Sequence, residues 1–92
     1  MKRTGNWKKV KFKLIAPEKA LSIENARSVF LPGLEGELEV LDGHVPYVVL
    51  LKAGRITVVS NGSTETFDIE GGMADIDQKN VNVLSGKTEK KQ

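Results

Sequence analysis

The sequence predicts an all-β protein, a single-domain β-sandwich or flattened barrel of about 8–10 short, mostly antiparallel strands. Three observations predict it. Short apolar stretches alternate inward and outward with period 2. Clusters of Gly, Pro, Asn and Asp interrupt them at spacings of about 8–12 residues. No stretch carries the period near 3.6 of an amphipathic helix with caps at its ends.

Residues 1–8 are polar and basic, broken by Gly5 and Asn6, and are expected to form a flexible tail. Trp7 is the anomaly there, either folded back onto the sheet or exposed in the tail. The sandwich domain is expected over 9–85. Lys9-Val10-Lys11-Phe12-Lys13-Leu14-Ile15 alternates cleanly, with Val10, Phe12 and Leu14 inward. Ala16-Pro17-Glu18-Lys19 makes a turn. Residues 20–31 then predict a long strand whose phase slips: Leu21, Ile23, Val29 and Leu31 are odd, Ala26 even. A β-bulge near Glu24-Asn25-Ala26-Arg27, or a bend between sheets, would restore the register. A helix over 18–29 is the competing assignment, and the β-branched and aromatic run into Pro32 argues against it.

Leu31 to Val49 organises the rest. Gly33, Gly36 and Gly43 with Pro32 and Pro46 divide it into strand, turn, strand, turn and strand. Glu37, Glu39 and Leu41 alternate with Leu38 and Val40. Tyr47-Val48-Val49-Leu50-Leu51 is apolar at every position, as expected of a strand covered on both faces. Arg55 to Val59 and Thr64 to Ile69 flank Asn61-Gly62, the strongest hairpin signal in the chain. Gly71-Gly72 breaks to Met73-Ala74-Asp75-Ile76, and Asp77 to Asn80 turns into Val81-Asn82-Val83-Leu84. Residues 86–92 read as a flexible charged tail.

Charge is unevenly spread. Lys2, Arg3, Lys8, Lys9, Lys11 and Lys13 give residues 1–13 a local +6, and residues 86–92 carry three Lys against Glu89. The body over 14–84, together with Ser85, has five basic and eleven acidic residues, hence −6, and the sum +6 −6 +2 is the net +2. An acidic body weakens a nucleic-acid reading, which needs a basic face on the fold itself. With no cysteine, a disulfide framework, a thiolate metal site and a Cys nucleophile are excluded together. No apolar run approaches the roughly 20 residues needed to span a bilayer as a helix. At 92 residues the core is modest, so the domain is expected to be marginal alone and to gain from a partner.

Candidate chemistry is thin. His44 is the only histidine, and a metal site built with Asp42 and Glu39 would lack a second imidazole, so it reads as a turn or interface residue. Glu35, Glu37 and Glu39 share one face at i, i+2, i+4, which describes a solvated strand face better than a paired acid and base. Gly33-Leu34-Glu35-Gly36 has the form of a backbone-clamping loop but sits among glutamates that would repel phosphate. Asn61-Gly62-Ser63 fits the glycosylation sequon and reads as the hairpin turn. No catalytic residue, metal or cofactor is assigned.

The residues also carry a resemblance. Leu31-Pro32-Gly33, Gly36-Glu37-Leu38, Val40-Leu41 and Gly43-His44-x-Pro46 stand in the order and spacing of the epsilon subunit of F-type ATP synthases. Ala16-Pro17-Glu18, Leu51-Lys52-x-Gly54, and Gly71-Gly72 followed by Val81-x-Val83-Leu84 extend the likeness over residues 10 to 85. The resemblance implies a non-catalytic subunit of an enzyme complex, a proton-translocating ATP synthase. Such a subunit sits in the central stalk and couples rotation of the ring of c subunits to ATP synthesis through gamma. It implies c-ring contacts at Gly36, Glu37 and His44, with Glu37 and His44 at the same end of the sandwich, and gamma contacts at Ala16 and Val49. It also implies a peripheral place at the cytoplasmic face of a bacterial inner membrane, or the matrix or stromal equivalent. The departures are Ala53 and Gln78 where proline is common, a longer basic amino-terminal segment, and an end at Gln92, where the family usually continues into two regulatory helices. The alternative from another class is a free-standing OB-like or sandwich module that binds oligonucleotide or peptide through its basic tail.

Overall fold

Nine strands follow one another in a computed structural model that describes residues 9–41, 46–86 and the backbone of 88–90. They are β1 (Val10–Ala16), β2 (Lys19–Gly33), β3 (Gly36–Val40), β4 (Tyr47–Leu51), β5 (Gly54–Ser60), β6 (Ser63–Ile69), β7 (Gly72–Ile76), β8 (Asn80–Ser85) and β9 (Thr88–Lys90). Trp7, His44 and the rest of 1–8 and 42–45 lie outside the described residues.

The strands run in the order β1-β8-β7-β4-β2-β5-β6-β9, with β3 added to β2 and β1 also paired to β2. This makes two layers that share one strand. In the first layer β1, β8, β7 and β4 lie side by side with the start of β2. In the second, the end of β2 pairs with β3 and β5, and β5 with β6. The long strand β2 crosses between the layers, and its register shifts between Ala26 and Ser28. Against β1 it also shifts between Ile23 and Ala26, within the stretch where the phase slip calls for a bulge. Leu21 and Ile23 are half-buried before it, Ala26 is fully buried between the two shifts, and Val29 and Leu31 are fully buried after both. No helix competes for 18–29.

The core lies between the layers. Val10, Phe12 and Leu14 of β1 and Val81 and Val83 of β8 meet Ile56, Val58, Phe67 and Ile69 of β5 and β6. Phe12 and Phe67 stack across the interior with centroids 6.0 Å apart and planes at 18°. The pairing is antiparallel except between β1 and β8, which run parallel.

One local expectation needs correcting. The charged segment 86–92 is not all tail, because Thr88–Lys90 add a short strand to the edge of β6. Backbone pairing decides there, and a charged composition does not forbid it. The Asn61-Gly62 turn closes the predicted hairpin, with Ser60 paired to Ser63. Among the described residues only glycines take positive φ, so the turn is not the doubly positive type I′ form; Gly62 carries it at 86°.

Candidate functional site: a turn-bearing rim and an apolar row

Three of the five predicted contact residues come together in one open cleft of about 470 Å³ between the β2–β3 turn and β4. Gly36, Glu37 and Val49 line it with Leu34, Tyr47 and Leu50. The turn that forms one wall is held tightly. The Leu34 amide donates to the Leu50 carbonyl at 3.0 Å, and the Lys52 amide to the Pro32 carbonyl at 2.9 Å. A Cβ on Gly33 would sit 2.6 Å from the Gly36 carbonyl oxygen, so only glycine lets the hairpin close this tightly.

Glu37 is exposed and pairs across the ladder with Pro32. Glu35 and Glu39 are exposed as well, and among the described residues none of the three carboxylates has an ion-pair partner. The rim therefore carries uncompensated negative charge on a rigid turn. Glu37 sits beside the Gly33–Gly36 turn, while Val40, at the far end of β3, lies about 10 Å further along the strand at roughly 3.3 Å per residue. The chain leaves toward 42–45 from that far end.

The expected gamma contacts divide differently. Ala16 is half-buried at the end of β1, opposite Lys19 and away from the cleft. Val49 is half-buried: it packs against the core, opposes Ala74 and shows its remaining surface to the cleft. Its neighbours Val48 and Leu50 point the other way and are 57% and 56% exposed. The expectation that β4 is covered on both faces thus fails within this chain.

What the sequence reading missed is where those outward residues lead. Leu50 pairs with Met73, Met73 with Leu84, and Leu84 with Ile15, in one register line across β4, β7, β8 and β1. All four side chains project from the outer face of the first layer, with exposures of 56%, 37%, 46% and 39%. The row is about 14 Å long, three strand spacings of roughly 4.8 Å. It runs from Leu50 in the cleft to Ile15 beside Ala16. The next line over is mostly polar: Val48, Asp75, Asn82 and Lys13. The signal was present in the sequence, since Leu50, Met73, Leu84 and Ile15 are each out of phase with the buried positions of their own strands. Only the register shows that they align.

Elsewhere the surface is ordinary. Arg55 Nε donates to Asp68 Oδ1 at 3.1 Å across β5 and β6. In the β7–β8 turn, Asp77 Oδ1 accepts from the backbone amides of Lys79 at 3.0 Å and Asn80 at 2.8 Å. The bond from the Lys79 amide, then that from the Asn80 side chain, holds the Asp77 carboxyl below its ordinary range. Among the described residues no group of three or more His, Cys, Asp or Glu could hold a metal ion.

The model of the ATP synthase delta/epsilon chain β-sandwich domain matches residues 9–91. The chain belongs to that family. Among curated relatives, it is 38% identical over 77 residues to the ATP synthase epsilon chain of Caulobacter vibrioides, covering 84% of this chain and 90% of that one. It is 38% identical to the ATP synthase epsilon chain of Rhodobacter capsulatus and 39% identical to that of Paracoccus denitrificans. It spans 58% and 52% of those two relatives. A chain of the Euglena gracilis mitochondrial ATP synthase, solved with OSCP, F1 and c-ring, superposes with a TM-score of 0.82 at 24% identity, over 89% of this chain and 53% of that one. A chain of the Tetrahymena thermophila central stalk and c-ring gives 0.75 at 12% identity, over 88% and 66%. At those identities the superpositions show a shared fold. The family domain is the predicted β-sandwich, and its boundary at 91 takes in the β9 segment.

Proposed function

We propose that this chain is a non-catalytic central-stalk subunit of a proton-translocating F-type ATP synthase, coupling c-ring rotation to ATP synthesis by binding gamma and the ring. The observation that carries the reading is the family match over 9–91, joined to a surface with two distinct docking characters. The apolar row from Ile15 to Leu50, with Ala16 at its end, supplies the dry contact on which gamma packs. The rigid acidic rim at Gly36 and Glu37 meets basic loops of the c-ring, and His44, outside the described residues, is assigned to the same partner by the family resemblance. Apolar packing supplies the affinity and the rim charge supplies orientation.

The subunit would lie peripherally, at the cytoplasmic face of a bacterial inner membrane, touching the membrane only through the ring. An oligonucleotide-binding module is the weaker reading: the described fold presents an apolar row and an acidic rim where phosphate would require a basic face. Expression of the tagged chain beside the synthase genes tests the proposal. Gamma and c subunits should co-purify with it, and Glu37→Ala combined with His44→Ala should weaken ring retention while gamma stays bound. Recovery of the chain free of both partners would defeat the assignment.

A further inference from the structure

We infer that Asn61 is a site of spontaneous deamidation, converted through a succinimide to a mixture of aspartate and isoaspartate. The β5–β6 turn brings together an Asn-Gly step, exposure and unengaged reacting groups. Asn61 and Gly62 are both exposed and lie between the paired residues Ser60 and Ser63. Neither the Asn61 side chain nor the Gly62 amide has a hydrogen-bond partner among the described residues. Gly62 carries no side chain to crowd its own nitrogen, and the space where a Cβ would stand is open to 4 Å.

The step balances without a catalyst. The Gly62 amide nitrogen attacks Asn61 Cγ, forming the N–Cγ bond of a five-membered ring. The Cγ–Nδ2 bond breaks, and the side-chain nitrogen leaves as ammonia with the proton lost from the Gly62 amide. Water then opens the ring at either carbonyl. One opening leaves aspartate with the normal backbone. The other leaves isoaspartate, whose backbone runs through the side chain and is one carbon longer.

The other described asparagines lack this combination. Asn25, Asn80 and Asn82 lie in strands and precede Ala26, Val81 and Val83. The Asn80 side chain is further tied to Asp77 Oδ1 at 3.1 Å. Either product adds a negative charge four residues from Glu65, and the isoaspartyl form lengthens a two-residue loop that the Ser60–Ser63 pair fixes. The turn lies at the opposite end of β5 from Gly54, whose would-be Cβ contacts Pro32 beside the acidic rim. Modification should therefore loosen one hairpin and leave both docking surfaces intact.

Ageing the purified full chain at mildly alkaline pH, with peptide mass mapping and methyl transfer by an isoaspartyl carboxyl methyltransferase, tests this. The amide-to-acid mass shift and the methyl label should both fall on the peptide containing Asn61, and Asn61→Gln should abolish them. A parallel sample in urea shows that the chemistry can proceed once the turn is released. If the unfolded sample deamidates at Asn61 and the folded one does not, the native turn blocks the reaction and the inference is overturned. Equal modification at Asn80 or Asn82 in the folded chain would overturn it as well.

Discussion

The two outer faces of the sandwich are built from the same kind of strand and differ sharply in what they show to solvent. The first layer exposes Ile15, Leu84, Met73, Leu50 and Val48, large apolar side chains that the chain itself leaves uncovered. Among the described residues the second has no large apolar strand residue so exposed: its outer positions hold Glu37, Glu39, Thr57, Thr66 and the Arg55–Asp68 pair, with Phe30 and Val59 half-buried among them. A free domain gains nothing from an aligned apolar row on one face, whereas a subunit that packs there gains dry contact area. The asymmetry separates what the chain needs in order to fold from what it offers to a partner.

The largest effect should come from the interior both faces share. Phe12→Ala removes one ring of the inter-layer stack and should cost about 3–5 kcal/mol, a large part of the total of about 5–15 kcal/mol for a small domain. Urea unfolding monitored by circular dichroism would read it. Met73→Glu, one position along from the core on β7, should change stability by no more than about 0.5 kcal/mol in the same assay. If Met73→Glu unfolds the isolated chain, the row belongs to the fold, and the contrast between the faces collapses.

The rim should respond differently again. Glu37→Ala leaves a rigid turn with less charge, so it should slow association with the c-ring and flatten its dependence on salt without unfolding the domain. Stopped-flow binding at several ionic strengths checks this. On the second face, Arg55→Ala breaks a partly exposed ion pair and should cost only about 0.2–1 kcal/mol in a thermal melt, with no effect on either partner.

The smallest effect concerns acid. The folded pKa of Asp77 is depressed, so its contribution to stability is present above the ordinary carboxylate range and fades as pH falls through the lowered value. Melts from about pH 5 to about pH 2 should show a slightly shallower acid slope for Asp77→Asn than for the parent chain. That variant keeps an acceptor in the turn and cannot titrate, so an unchanged slope would assign acid sensitivity to other carboxylates.

Much of this was legible in the sequence, and the gaps have physical causes. The bulge in β2 could be read because a period-2 pattern cannot change phase without an extra residue, and Ala26 shows where it does. The acidic rim could be read from Glu35, Glu37 and Glu39 at alternate positions. Strand β4 misled because a run apolar at every position reads as covered on both faces, whereas within this chain Val48 and Leu50 are exposed. In a strand apolar throughout, nothing local says that Val49 is the half-buried position between exposed neighbours. The alignment of Leu50, Met73, Leu84 and Ile15 required the registers of three separate pairings, one of them the parallel β1–β8 contact, and such long-range register leaves no local mark. Strand β9 was hidden because its pairing to β6 is made by backbone groups.

The most direct measurement is titration calorimetry of the isolated gamma subunit against three forms of this chain: unmodified, Leu50→Glu with Met73→Glu, and Thr66→Glu on the opposite face. Packing on the first layer predicts that the double variant binds at least about 100-fold more weakly with an unchanged melting temperature, and that Thr66→Glu binds like the parent. Equal affinity for all three, or a loss confined to Thr66→Glu, would show that gamma packs elsewhere.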